Sequence, residues 1–154
     1  MIVYDEARRP VTLGAEMARG GEGIVYAVTG RPGMLAKIYT PRPREGHEEK
    51  LTWMLAHPPE DPAGGRGGHA SIAWPADLLF DAQQRFLGYL MPQVAGSQSV
   101  LSVFNPRTRA ATWPNFDRRY LHRSARNLAA ALAALHASNY IVGDLNESNV
   151  LVTI

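Results

Sequence analysis

The pattern of apolar and polar positions divides the chain into a strand-rich part followed by a helix-rich part. Residues 10–14 read as a short strand, residues 24–28 are β-branched and aromatic, and residues 34–39 return after the turn Gly30-Arg31-Pro32-Gly33. A glycine cluster, Gly20-Gly21-Glu22-Gly23, separates the first two of these, so the first 40 residues predict a β-meander. Pro41 and Pro43 end the third strand. From residue 45 to residue 57 the period becomes helical, with Leu51, Met54 and Leu55 on one face and Glu48, Glu49 and Lys50 near the start. Pro58-Pro59 stops that helix, and residues 57–69 form a Pro/Gly-rich loop.

A second strand pair follows at residues 78–80 and 86–91, joined by the turn Asp81-Ala82-Gln83-Gln84. Beyond Pro92, the stretch Val94-Ala95-Gly96-Ser97 reads as a connector between two bodies, and the patterning changes from strand to helix. Residues 99–104 predict a short helix closed by Asn105-Pro106. Residues 115–137 give the strongest helical signal, with Tyr120, Leu121, Leu128, Leu132 and Leu135 at helical spacing. Its alanine-rich body predicts a buried helix. A polar loop, residues 139–149, leads into a last β run, Val150-Leu151-Val152. No internal repeat is evident. The fold class expected is α+β, with an antiparallel, β-rich first part containing one main helix.

Composition narrows the function classes. The chain has 154 residues, 45% apolar and 19% charged, which is ordinary globular material. A net charge of +2 is too small an excess to mark a nucleic-acid surface. The absence of cysteine excludes a disulfide scaffold, a zinc–thiolate site and a thiol nucleophile. No apolar stretch approaches membrane-spanning length and residues 1–10 lack a signal pattern, so a cytoplasmic protein is expected. Only two of the 16 basic residues are lysines, Lys37 and Lys50. In such an arginine-rich background, a lysine within an apolar strand stands out.

Three local features carry candidate chemistry. Gly20-x-x-Gly23-x-Val25 between two strands brings backbone amides where phosphate oxygens can approach, although a tight turn needs the same glycines. Lys37 lies among apolar neighbours and requires an anionic partner if it is buried, or else it snorkels from an edge strand. Asp144-x-x-x-x-Asn149 places a carboxylate and an amide in one loop. Together they can orient a hydroxyl and hold a divalent metal, or simply cap consecutive turns.

In this order the three features resemble the protein kinase family, specifically the bacterial Ser/Thr-type (Hanks-type) group. The resemblance is carried by Gly20-Gly21-Glu22-Gly23-Ile24-Val25-Tyr26, Ala36-Lys37-Ile38-Tyr39 and Gly143-Asp144-Leu145-Asn146-Glu147-Ser148-Asn149. It implies an N-lobe over residues 1–94 and an incomplete C-lobe over residues 95–154. It implies that Gly20, Gly21 and Gly23 cover the phosphates of ATP, that Val25 and Ala36 roof the adenine, and that Leu151 forms its floor. Lys37 would hold the α- and β-phosphates and pair with Glu48 or Glu49. Met91 would stand at the gatekeeper position, with Pro92 and Val94 in the hinge. Asp144 would be the catalytic base and Asn149 a ligand of Mg2+.

Departures from the family pattern are visible. Ala18 replaces the first glycine, Val142-Gly143 precedes Asp144 in place of His-Arg, and Asn146 stands where a lysine is frequent. The expectation is a chain that stops before the Asp-Phe-Gly metal-binding segment, with a protein substrate or regulatory partner and with self-association through an apolar cut face. Two alternatives remain at this point: a small-molecule phosphotransferase of the aminoglycoside or choline kinase type, and a non-catalytic pseudokinase or nucleotide-binding scaffold.

Overall fold

The computed structural model describes residues 1–63, 70–147 and 149–153. The chain forms two compact units: Met1–Pro58 with Ala73–Gln93, and Pro59–Ile72 with Val94–Ile154.

The first unit contains β1 (Ile2–Asp5), β2 (Pro10–Gly20), β3 (Gly23–Val28), β4 (Met34–Tyr39), α1 (His47–Ala56), β5 (Asp77–Phe80) and β6 (Phe86–Pro92). The strands are antiparallel in the order β1-β2-β3-β4-β6-β5, and β1 also pairs with β5 at Tyr4↔Phe80. Side chains alternate across a strand, so one face of the sheet collects Val3, Val11, Leu13, Val28, Ala36, Ile38, Leu79 and Leu90 into a core. Burying each of the larger of these aliphatic groups contributes about 1.5–3 kcal/mol. Helix α1 buries Leu51. β2 extends well past residue 14 although every side chain beyond Leu13 is exposed. Backbone pairing with β3 sustains it, with register shifts on either side of Glu16.

Two hairpins in this unit turn through the same five-residue device. In the β1–β2 turn, the Asp5 N–H donates to Arg9 O and the Arg8 N–H to Asp5 O, with Arg8 at φ 60°. The Asp5 carboxylate accepts from the Arg9 amide and Nε, each at 2.8 Å. In the β5–β6 turn, Asp81, Gln84 and Arg85 repeat every one of these bonds, with Gln84 again at φ 60°. Asp-x-x-x-Arg is therefore a local repeat, found here where the apolar pattern showed none.

The second unit contains β7 (Ser97–Ser99), α2 (Leu101–Phe104), α3 (Pro106–Thr112), α4 (Arg118–Ala137) and β8 (Leu151–Thr153). Val103, Phe116 and Val152 form its core, joined by Val100, Trp113 and Leu121. Asn105-Pro106 starts a helix as well as ending one. The Asn105 side chain caps α3 by accepting from the Arg107 and Thr108 amides, and Pro106 occupies the first turn, where a missing N–H costs nothing. Helix α4 is not the buried helix expected. Of its described residues only Ala131 is buried: Leu121, Leu128, Leu132 and Leu135 form one apolar stripe that is half-buried, while Arg118, Arg119, His122, Arg123 and Arg126 stand exposed away from it. Val152 is buried in the core of this unit, so the last strand exposes Leu151 but not its whole apolar run. No helix among the described residues is long and apolar enough to cross a membrane.

Candidate functional site

In the first unit, the glycine cluster is the tip of the β2–β3 hairpin. Gly20 pairs with Gly23, leaving Gly21 and Glu22 as a two-residue turn. The three glycines answer different needs. A Cβ on Gly20 or Gly21 would meet nothing within 4 Å, so their bareness leaves open space above the loop. A Cβ on Gly23 would collide with the Ile38 carbonyl and lie 3.2 Å from the Tyr39 Cα, so Gly23 lets β3 approach β4. Glu22 O accepts the Thr40 amide at 3.1 Å, which fastens the tip to the end of β4.

Lys37 lies in β4, flanked by Val25 on β3 and Tyr89 on β6. Paired residues of an antiparallel ladder point to the same face, so Val25, Lys37, Tyr39 and Tyr89 share one. Leu35, paired with Met91, belongs to that face as well. Ala36 does not. It is fully buried on the opposite, core face, since neighbours along a strand alternate. The expectation that Ala36 roofs a nucleotide held by Lys37 is corrected accordingly: Leu35 is the β4 residue on the lysine's side.

Lys37 also departs from its expected partner. Its Nζ lies 3.5 Å from Glu22 Oε2 and 5.6 Å from the Tyr39 ring centroid. Among the described residues, neither Glu48 nor Glu49 makes an ion pair. Both lie in the first turn of α1 and line a cavity of about 790 Å³ with Arg42, Trp53 and Phe86. Tyr39 stacks on His47 at 4.8 Å and lies near Phe86 and Tyr89. Burial pushes the Tyr89 hydroxyl up to about 12, with Tyr39 and the Glu22 charge adding to it. Burial likewise raises Tyr39, and Glu22 again contributes. Both tyrosines are neutral at physiological pH.

β6 ends at Pro92, which pairs with Met34, and the Gln93 amide donates to Gly33 O at 2.8 Å. Val94 O accepts the Ser97 hydroxyl at 2.7 Å.

In the second unit, the loop before β8 brings Asp144 and Asn149 together. Asn149 Nδ2 donates to Asp144 O at 2.9 Å and to Asp144 Oδ2 at 3.0 Å. Asn146, read from the sequence only as a missing lysine, acts as a strut. Its Nδ2 donates to Asp144 Oδ1 at 2.7 Å, and its Oδ1 accepts the Asn149 amide at 3.2 Å. The Ser99 hydroxyl donates to Glu147 O at 2.6 Å and the Val100 amide to Val150 O at 2.9 Å, which anchors the loop to β7 and the start of α2. With its amide nitrogen spent on Asp144, Asn149 keeps its amide oxygen for a cation, and Asp144 remains exposed. Among the described residues no three His, Cys, Asp or Glu side chains converge on a metal position. The donor set here is one carboxylate and one amide oxygen, suited to a hard divalent cation that takes most of its oxygens from elsewhere. Leu151 is exposed, opposite to the buried Val152.

Comparison with known proteins bears on the fold and on the sequence as a whole. No family model matches the chain. Protein kinase YegI of Escherichia coli K12 is 29% identical over 151 residues, 97% of this chain, and the protein of that name from Escherichia coli O157:H7 matches equally. The chain spans 22% of the length of these relatives. Among solved structures, vaccinia related kinase 3 superposes with a TM-score of 0.66 at 17% identity, covering 99% of this chain and 46% of the other. In sequence and in fold the chain is similar to the N-terminal region of a protein kinase.

Proposed function

We propose that the chain supplies the nucleotide-binding and catalytic-loop segments of an ATP-dependent Ser/Thr-type protein kinase acting in the cytoplasm, with residues 1–94 as N-lobe and residues 95–154 as the beginning of a C-lobe. The observation that carries this reading is the Asp144–Asn146–Asn149 cluster. Three polar side chains spend their mutual hydrogen bonds on fixing one carboxylate and leave one amide oxygen over, which is more organisation than a turn requires.

In this reading Lys37 holds the α- and β-phosphates beneath the hairpin of Gly20, Gly21 and Gly23, while Val25, Leu35 and Met91 line the face toward the adenine. Pro92 offers only its carbonyl, so the hinge donor is the Val94 amide. Leu151 is the floor. Asp144 accepts the proton of the substrate hydroxyl, and Asn149 holds Mg2+ through its amide oxygen. Bound Mg2+ supplies neutralisation of phosphate charge, and the substrate is a protein hydroxyl.

Thermal shift with Mg-ATP tests the nucleotide site: wild type is stabilised, and Lys37→Ala loses most of that shift. No shift in wild type refutes nucleotide binding. In a protein that carries this chain within a complete kinase domain, Asp144→Ala abolishes phosphotransfer and keeps nucleotide affinity. Retained turnover refutes its role as base.

A further inference from the structure

Glu22 is the carboxylate nearest to the lysine on which the nucleotide reading depends. It stands at the tip of the glycine hairpin, between Gly21 and Gly23, and its backbone carbonyl is bonded to the Thr40 amide just past β4. That bond holds the tip over the strand that carries Lys37. The Glu22 side chain reaches Lys37 Nζ at 3.5 Å, and among the described residues it is the only acid within 4.0 Å of it. Lys37 is largely enclosed by the tyrosine-bearing face of the sheet, whereas Glu22 is mostly exposed and held by little else. The open space over Gly20 and Gly21 leaves the carboxylate room to swing out. Its charge is felt across the face, since it contributes to the raised values of both Tyr39 and Tyr89.

We infer that Glu22 is a resident counter-ion of Lys37 that nucleotide phosphates must displace, so that the glycine loop itself sets how much negative charge the site admits. This rests on the reading of Lys37 as a phosphate ligand and adds a determinant of nucleotide charge to it. The pair costs little to break, because one partner is exposed and screened. The displaced carboxylate stays close to the phosphates, however, and disfavours them most when they carry their full charge. The site therefore prefers nucleotide whose phosphates are neutralised by a divalent cation.

Calorimetric titration of the chain, wild type against Glu22→Gln, with Mg-ATP, with ATP in chelator and with adenosine, tests this. The substitution tightens Mg-ATP about two- to fivefold and metal-free ATP by more, and it leaves adenosine unchanged. The gain shrinks as salt is raised from 50 to about 500 mM, where exposed charges are screened within a few ångströms. Equal affinities of the two proteins for ATP overturn the counter-ion role while the nucleotide reading stands. An equal gain for adenosine also overturns it, since the effect is then one of loop shape. If neither protein binds any of the three ligands, the nucleotide reading falls and the inference falls with it.

Discussion

The strand that carries Lys37 is held between two glycines, and the second of them, Gly88 on β6, lends itself to a quantitative test. A Cβ at Gly88 would fall on the Lys37 carbonyl oxygen, with the Lys37 carbonyl carbon at 2.9 Å and the Ile38 Cα at 3.1 Å. All three obstacles are backbone, so no side chain can swing aside, and Gly88→Ala must push β4 and β6 apart where Ile38 faces Gly88. Overpacking of this kind costs about 1–3 kcal/mol. For a chain of this size each kcal/mol lowers the melting temperature by about 2–4 °C, so a drop of about 2–12 °C is expected. Gly21→Ala is the matched control, because a Cβ there meets nothing within 4 Å and φ is not positive. It changes stability by no more than about 0.5 kcal/mol. Thermal unfolding followed by circular dichroism reads both. The same displacement moves Lys37, so under the proposed function Gly88→Ala also weakens Mg-ATP binding in the calorimeter. Equal melting temperatures for Gly88→Ala and wild type, or an equal loss in Gly21→Ala, would refute the argument from strand approach.

Two further predictions concern charged groups that hold local structure. Asp5 is buried, which by itself would raise its carboxyl, but the Arg9 amide and guanidinium, with Arg31, hold it below the ordinary 3.8. Its contribution is therefore complete above pH 3.8 and fades as pH falls below that through the folded value. Asp5→Asn costs about 1–2 kcal/mol at neutral pH, and its gap to wild type narrows as pH falls below 3.8; a gap that does not change with pH contradicts the linkage. Asp117 caps α4 by accepting from the Arg119 and Tyr120 amides at 2.8 and 3.3 Å. Asp117→Ala lowers stability by about 1 kcal/mol in urea unfolding, whereas Asp117→Asn, which keeps the cap, loses less.

What the sequence revealed, and what it hid, follows from where the energy lies. β3, β4, β6 and α1 were legible because each buries an apolar face with its own period. β7 was not: Ser97-Gln98-Ser99 carries no apolar signal and is a strand only because it pairs with β8. β1 was missed for a similar reason, since only Val3 and Asp5 of its four residues are buried. The long exposed part of β2 has the same origin in pairing. Ala36 is a different case. Period-two alternation alone places it opposite Lys37, on the core face of the sheet. The Lys37–Glu22 pair could not be read in advance, because it depends on how a two-residue turn folds over a neighbouring strand. The bonds from Asn146 to Asp144 and Asn149 were hidden too, since a five-residue spacing states proximity without stating which atoms meet.

The paired Asp-x-x-x-Arg turns bear on how the first unit comes together. Each closes over five residues and satisfies its own backbone, so the β1–β2 and β5–β6 hairpins can form without waiting for distant contacts. The join between β4 and β6 instead brings together Lys37 and Tyr89, about 50 positions apart along the chain, and closure entropy rises with that separation. By that logic the local hairpins form first and the two distant joins, β4 with β6 and β1 with β5, form later; the first of these joins runs beside the lysine.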